Sequence, residues 1–358
     1  LGMVFDFKSL WTSFRTGAHG VLRRHPVELL LAAGLSAALV LCYECDWELD
    51  VRLAAVGWGA VLLLAVNLLT GRTPWRRLYW VAWAPLVPLA LWPGFGAWLE
   101  SARGAITVGL LTPLALLACR RAVANRRFVF DTVILLRAAL LALLFAYVAL
   151  GLFQAILWSA AYIFGFGGAA WVEHAAVDTW IVTSTFVVPL LFMMMLDRWE
   201  RSEVHGTRIL EVLLDWIVSP AVLIYAAILY LYAFKILVTW SLPEGGVAYL
   251  VFGFTSVALA VKALQELLGR RIYGWFYDRL SLFALPAAVL FWIGTLRRVG
   301  EYGLTEPRVY LVVCGAVMTF CLVIFLSRRT GRYLWVVLFA MLLFAAVAYV
   351  PVLEPGRR

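Results

Sequence analysis

One lysine, Lys235, sits inside the apolar stretch "YAAILYLYAFKILVTWSLPEGG" that runs from Tyr225 to Gly246. An ammonium in such a helix is costly. Either its long stem lifts it to the headgroups or it lies against a counter-charge in a polar cavity. Glu244, Glu301 and Glu306 are the candidate counter-charges. Further along, "RRVGEYGLTEPR" gathers Arg297, Arg298, Glu301, Tyr302, Glu306 and Arg308. Guanidinium groups beside a tyrosine and a lysine suit an anionic group, such as a lipid phosphate or a carboxylate. The same stretch also reads as plain structure. Gly303 can take positive φ and Pro307 suits a first helical turn, with Thr305 and Glu306 at the helix start.

Other clusters carry less chemistry. His174 and Asp178 are four residues apart in "WVEHAAVDTW", with Glu173 adjacent. Zinc needs three or four ligands and only two align, so no metal site is assigned and an interfacial helix is expected instead. The spacing of Cys42 and Cys45 in "CYEC" fits a disulfide poorly on a regular helix, and both are read as unpaired thiols. Cys119, Cys314 and Cys321 read as packing residues. Asp131 and Arg137 sit near the inner end of one apolar run, within reach of each other or of headgroups. The histidines, His19, His25, His174 and His205, all fall outside the apolar runs. The H-E-x-x-H, G-x-S-x-G and P-loop signatures are all missing from the chain. No catalytic residue and no cofactor is assigned.

The elements that must position these residues follow from composition. Hydrophobic residues make up 64% of the 358 and charged residues 14%, more apolar surface than a soluble domain of this length could cover. The chain therefore reads as an all-α polytopic transmembrane bundle with the lipid bilayer as its main partner. About eleven runs are long enough to cross. They are 27–43, 53–69, 78–98, 104–119, 138–160, 180–196, 216–240, 247–268, 280–296, 309–326 and 333–350. The third carries Pro85, Pro88 and Pro93 and is expected to kink. Residues 1–26 precede the first span, which has no small-x-small cleavage pattern and reads as retained rather than as a signal peptide. Residues 27–350 read as one transmembrane domain and 351–358 as a short tail. A short amphipathic helix is expected over 207–215, on the inner leaflet.

Charge sets the orientation. The loops alternate between basic ("TGRTPWRR", "RRAVANRR", "GRRIYGWFYDR", "SRRTGR") and acidic ("ECDWELDVR", "SLPEGG"). Basic loops stay inside, which predicts the N-terminus in and the C-terminus out. The stretch 297–308 breaks the rule, being basic on the predicted outer side. The net charge of +9 lies in short clusters between apolar runs, which argues against a nucleic-acid partner.

"YLYAFKILVTWSLPEGGVAYLVFGF" together with "RRVGEYGLTEPRVYLVV" resembles a family of bacterial polytopic membrane proteins of unknown function, the DUF4153-like proteins. The resemblance covers roughly 216–350. It implies a bacterial inner-membrane protein and no established activity. The residues themselves leave three function classes. The first is transport or translocation of a small anionic or lipidic ligand through an outward-facing basic cavity. The second is a non-catalytic sensor, scaffold or accessory subunit with a membrane-protein partner. The third is a membrane enzyme acting on lipid-linked substrates.

Overall fold

The computed structural model describes residues 7–48, 50–71, 73–165, 169–200, 208–239, 247–269, 271–303, 305–327 and 329–350. Among the described residues every regular element is a helix, and nine helices are long and apolar enough to cross a membrane. In chain order they begin with α1 (Phe7–Arg24), α2 (Pro26–Glu44), α3 (Leu53–Thr70), α4 (Arg76–Tyr79), α5 (Leu86–Leu91) and α6 (Phe95–Glu100). Then come α7 (Ala102–Cys119), α8 (Asn125–Ile163), α9 (170–200), α10 (208–239) and α11 (Val247–Leu264). The last are α12 (Gly274–Asp278), α13 (Leu280–Tyr302), α14 (Glu306–Ile324) and α15 (Tyr333–Tyr349).

These correspond to the expected runs with one exception and one shortfall. The shortfall is α15, apolar but only 17 residues long. The exception is 78–98, which is α4, α5 and α6 instead of one kinked helix. Pro85, Pro88 and Pro93 each remove a backbone donor, and the α ladder cannot survive three such losses. Tight turns replace it: Val81 N bonds Leu78 O and Ala84 N bonds Val81 O. Such turns rise faster per residue than an α-helix. The segment therefore still runs alongside α3. Tyr79 at its start hydrogen-bonds Val27 N, and Trp98 near its end packs on Trp58 at 5.4 Å. Gly59 permits the approach, since a Cβ there would come within 2.6 Å of Leu86.

Three helices widen by one residue inside their spans, at Thr107–Leu111, Thr183–Val187 and Leu213–Val218. The last of these joins Arg208–Val212 to the span proper. The helix expected on the inner leaflet is thus, over its described residues, the first turns of α10. Likewise the interfacial helix expected around His174 is the start of α9.

Residues 1–101 with 131–202 form one compact group, and 102–130 with 203–358 a second. In the first, α2 packs on α3 and on α9, and α1 lies against α9. In the second, α11 packs on α13, and α13 on α14. Its core holds Val251, Phe254, Tyr277, Leu280 and Phe291, and the fully buried Ala258 and Ala284 let helices approach closely. The tail at 351–358 lies outside the described residues.

Candidate functional site

Among the described residues, those singled out around Lys235 lie on α10, α13 and α14. Lys235 is exposed on α10. Arg297, Arg298 and Glu301 are on α13, which continues to Tyr302, so the first half of the stretch 297–308 is a helix end. Arg297 Nε pairs with Glu301 one helical turn on, at 2.7 Å, and both are exposed. Gly303 takes φ +73, as expected, and Pro307 lies in the first turn of α14. Thr305 stands at the N-cap position, yet its side chain makes no capping bond. Arg308 Nη1 donates to Gly303 O at 2.9 Å. Arg298 and Arg308 are half-buried. Glu306 is the first residue of α14. The side chains of Tyr302 and Glu306, and the whole of Glu244, lie outside the described residues.

A different set of polar groups converges in the first group of helices. In "RRHPVELL", Pro26 forces α1 to stop and opens α2, because the residue before a proline avoids the helical region. His25 is that residue, with φ −126 and ψ 48, and its N–H still closes α1 onto Val21 O at 2.7 Å. Glu28 follows in the first turn of α2. Both are nearly sealed, at 5% and 3% exposed. His25 Nδ1 faces Glu28 Oε1 at 3.4 Å, and its Nε2 faces Asp197 Oδ1, also at 3.4 Å. Arg24 Nη1 meets the same oxygen of Asp197 at 3.3 Å.

Two more elements complete the network. Asn67, near the end of α3, donates from Nδ2 to Arg24 O at 2.8 Å and to Glu28 Oε1 at 2.9 Å. The same Nδ2 also lies 3.0 Å from His25 Nδ1, a contact whose donor and acceptor depend on the imidazole tautomer. Tyr79 of α4, 4% exposed, donates its hydroxyl proton to Glu28 Oε2 and accepts from Val27 N at 3.2 Å. Two cations and two anions thus share one network, sealed at His25 and Glu28 and open at Arg24, stitched from α1, α2, α3, α4 and α9.

The electrostatics follow from this packing. Burial alone would push the imidazole toward neutrality. The hydrogen bonds and charges of Asp197 and Glu28 outweigh it and raise the His25 pKa from 6.5 to about 9. His25 is therefore an imidazolium at neutral pH. The centre is an ion-pair lock in which each ring nitrogen of His25 faces a carboxylate.

Sequence reasoning passed over this centre because His25, like the other histidines, falls outside the apolar runs. The available signals were Glu28 three residues after it, Asn67 inside an apolar run, and Asp197 closing "MMMLD". A smaller contact lies elsewhere in the same group: His174 Nδ1 meets Glu44 Oε1 at 3.0 Å, both partly exposed. Among the described residues no cluster of three His, Cys, Asp or Glu is placed to hold a metal ion. Cys42 and Cys45 are free thiols.

The chain is similar to an uncharacterised bacterial protein. That protein, from Pasteurella multocida (strain Pm70), is 32% identical over 212 residues. The match covers 58% of this chain but 36% of the relative, so this chain spans little more than a third of the length of the relative it matches. No protein-family model matches the chain, and no solved structure does. The likeness to the DUF4153-like proteins accordingly rests on the motifs quoted above, while the relative found agrees with a bacterial protein of uncharacterised function.

Proposed function

We propose that the protein is a non-catalytic scaffold or accessory subunit in a membrane complex of the bacterial envelope. One observation carries this reading. Between α4 and α6 the backbone leaves the α-helix beside α3, and its apolar side chains are open: Trp80 is 57% exposed, Val81 63% and Leu91 67%. Irregular backbone at membrane depth is tolerated where protein covers it or where it lines a water-filled cavity. A partner helix laid along 80–92 satisfies that requirement, and the His25 lock holds the start of this segment rigid for it. A photo-reactive residue placed at Trp83 or Leu91 in cells should give one discrete protein adduct. Adducts to lipid alone would contradict the reading.

A second reading, transport of a small anionic or lipidic ligand, is favoured by the three widened turns. Such turns often mark functional sites, and interrupted spans line substrate paths in transporters. On this reading Lys235, Arg298 and Arg308 belong to an outward-facing basic cavity. Arg308→Gln should then abolish ligand flux in proteoliposomes, whereas a scaffold shows no flux in either form.

A further inference from the structure

The geometry points to a binding site for the phosphodiester headgroup of an anionic glycerophospholipid in the groove formed by Val123, Ala124, Asn125, Arg329, Gly331 and Arg332. The groove is a shallow, widely open depression of about 700 Å³ that lies wholly within the second group of helices. It opens where α7 ends, α8 begins, α14 ends and α15 begins, beside the ends of three helices long and apolar enough to cross a membrane.

Charge argues for an anion. The sequence 119–130, "CRRAVANRRFVF", and the sequence 324–336, "IFLSRRTGRYLWV", contain no acidic residue. Arg329 and Arg332 are both exposed, and no ion pair joins either to an acid among the described residues. Retention of basic loops on one side of a membrane explains arginines here, but not a shaped groove between them. Basic pockets between spans are suited to anionic headgroups, and two guanidiniums can grip a phosphate by paired hydrogen bonds. The wall is amphipathic: Val123, half-exposed, and Ala124 offer apolar surface beside the arginines. A lipid, with its first methylenes attached to its phosphate, uses both surfaces, while free phosphate uses only one.

The groove is also pre-organised. Asn125 Nδ2 donates to Gly331 O at 2.8 Å, and its Oδ1 accepts from Tyr333 N at 3.2 Å. Gly331 N bonds Ser327 O at 3.0 Å, and Thr330 Oγ1 donates to Ile324 O at 2.9 Å. A Cβ at Gly331 would approach Phe325 to 2.7 Å, so glycine sets the depth of the turn. The Tyr333 ring stacks on Phe128 and packs against Phe325, which fixes the start of α15. A loop held this way loses little entropy on binding.

The test uses full-length protein in nanodiscs of mixed phosphatidylglycerol and phosphatidylcholine, with native mass spectrometry of the lipids that stay bound on release. Wild type should retain phosphatidylglycerol in preference to phosphatidylcholine. Arg329→Gln with Arg332→Gln should lose that preference, while Arg329→Lys with Arg332→Lys and, in the first group of helices, Arg52→Gln should keep it. Each variant is first matched to wild type in helix content and melting temperature. If the double glutamine variant fails that match, the two single glutamine variants are read instead, each with a partial loss expected. Equal preference in wild type and in the folded glutamine variants, or none in wild type, overturns the proposal. Inorganic phosphate supplies the second arm. Failure to displace the retained lipid supports a headgroup site, and ready displacement assigns the groove to free phosphate and overturns it.

Discussion

At the junction of α1 and α2, Arg24, His25, Glu28 and Asp197 share one network, and its His25 and Glu28 are almost sealed from solvent. Across α13 and α14, Arg297 takes Glu301 on its own helix, and Arg308 donates to the Gly303 carbonyl. The first arrangement joins five helices, and the Arg297–Glu301 pair stays on one. Burial decides the difference. A charge kept from water must find every partner inside the protein, whereas an exposed pair at 44% exposure is screened and contributes little.

The largest effect expected from this contrast is at Glu28. Glu28→Ala removes the acceptor of His25, Asn67 and Tyr79 together and leaves the buried imidazolium with Asp197 alone. The loss of stability should be roughly 3–5 kcal/mol. A large fall in melting temperature, or failure to accumulate folded protein, checks it. A change as small as that of an exposed pair would mean that the centre relaxes or takes in water.

Next comes Gly303, which holds φ +73 and ψ −179, a region open almost only to glycine. A Cβ there meets nothing within 4 Å, so the cost of Gly303→Ala is backbone strain alone. About 1–3 kcal/mol is expected. No change in chemical or thermal denaturation would show that the turn rearranges freely.

The smallest effects belong to the exposed charges. Arg297→Ala and Lys235→Leu should each shift stability by under about 1 kcal/mol. A large loss from Lys235→Leu would put Lys235 against a partner and revive the outward basic cavity.

Legibility in the sequence followed the same physics. Helix positions were readable because apolar runs of membrane length have few alternatives, and α2, α3 and α14 fall where the runs predict. The break at 78–98 was half-readable: three prolines announce a distortion, but not that tight turns would carry the segment alongside α3. The end of α13 was misjudged because "RRVGEY" looks like a polar loop, although its long side chains tolerate a helix that projects past the apolar core. The His25 centre was illegible for a different reason. Its members come from residues 24–28, 67, 79 and 197, and only the packing of α1 and α9 against α2 makes them neighbours. A lone histidine before a span carries no mark of two carboxylates that reach it from other turns.

The direct test of the account is the titration of His25 itself. Imidazole chemical shifts of ring-labelled histidine, assigned by comparison with His25→Gln, follow its charge with pH. The account predicts an imidazolium at neutral pH with a midpoint of about 9. Because the folded pKa lies above the unfolded value of 6.5, this stabilisation is complete below pH 6.5 and fades as pH rises through about 9. Melting temperature should decline over the same window in wild type and not in His25→Gln. A midpoint at or below 6.5, or a ring already neutral at pH 7, would contradict the lock.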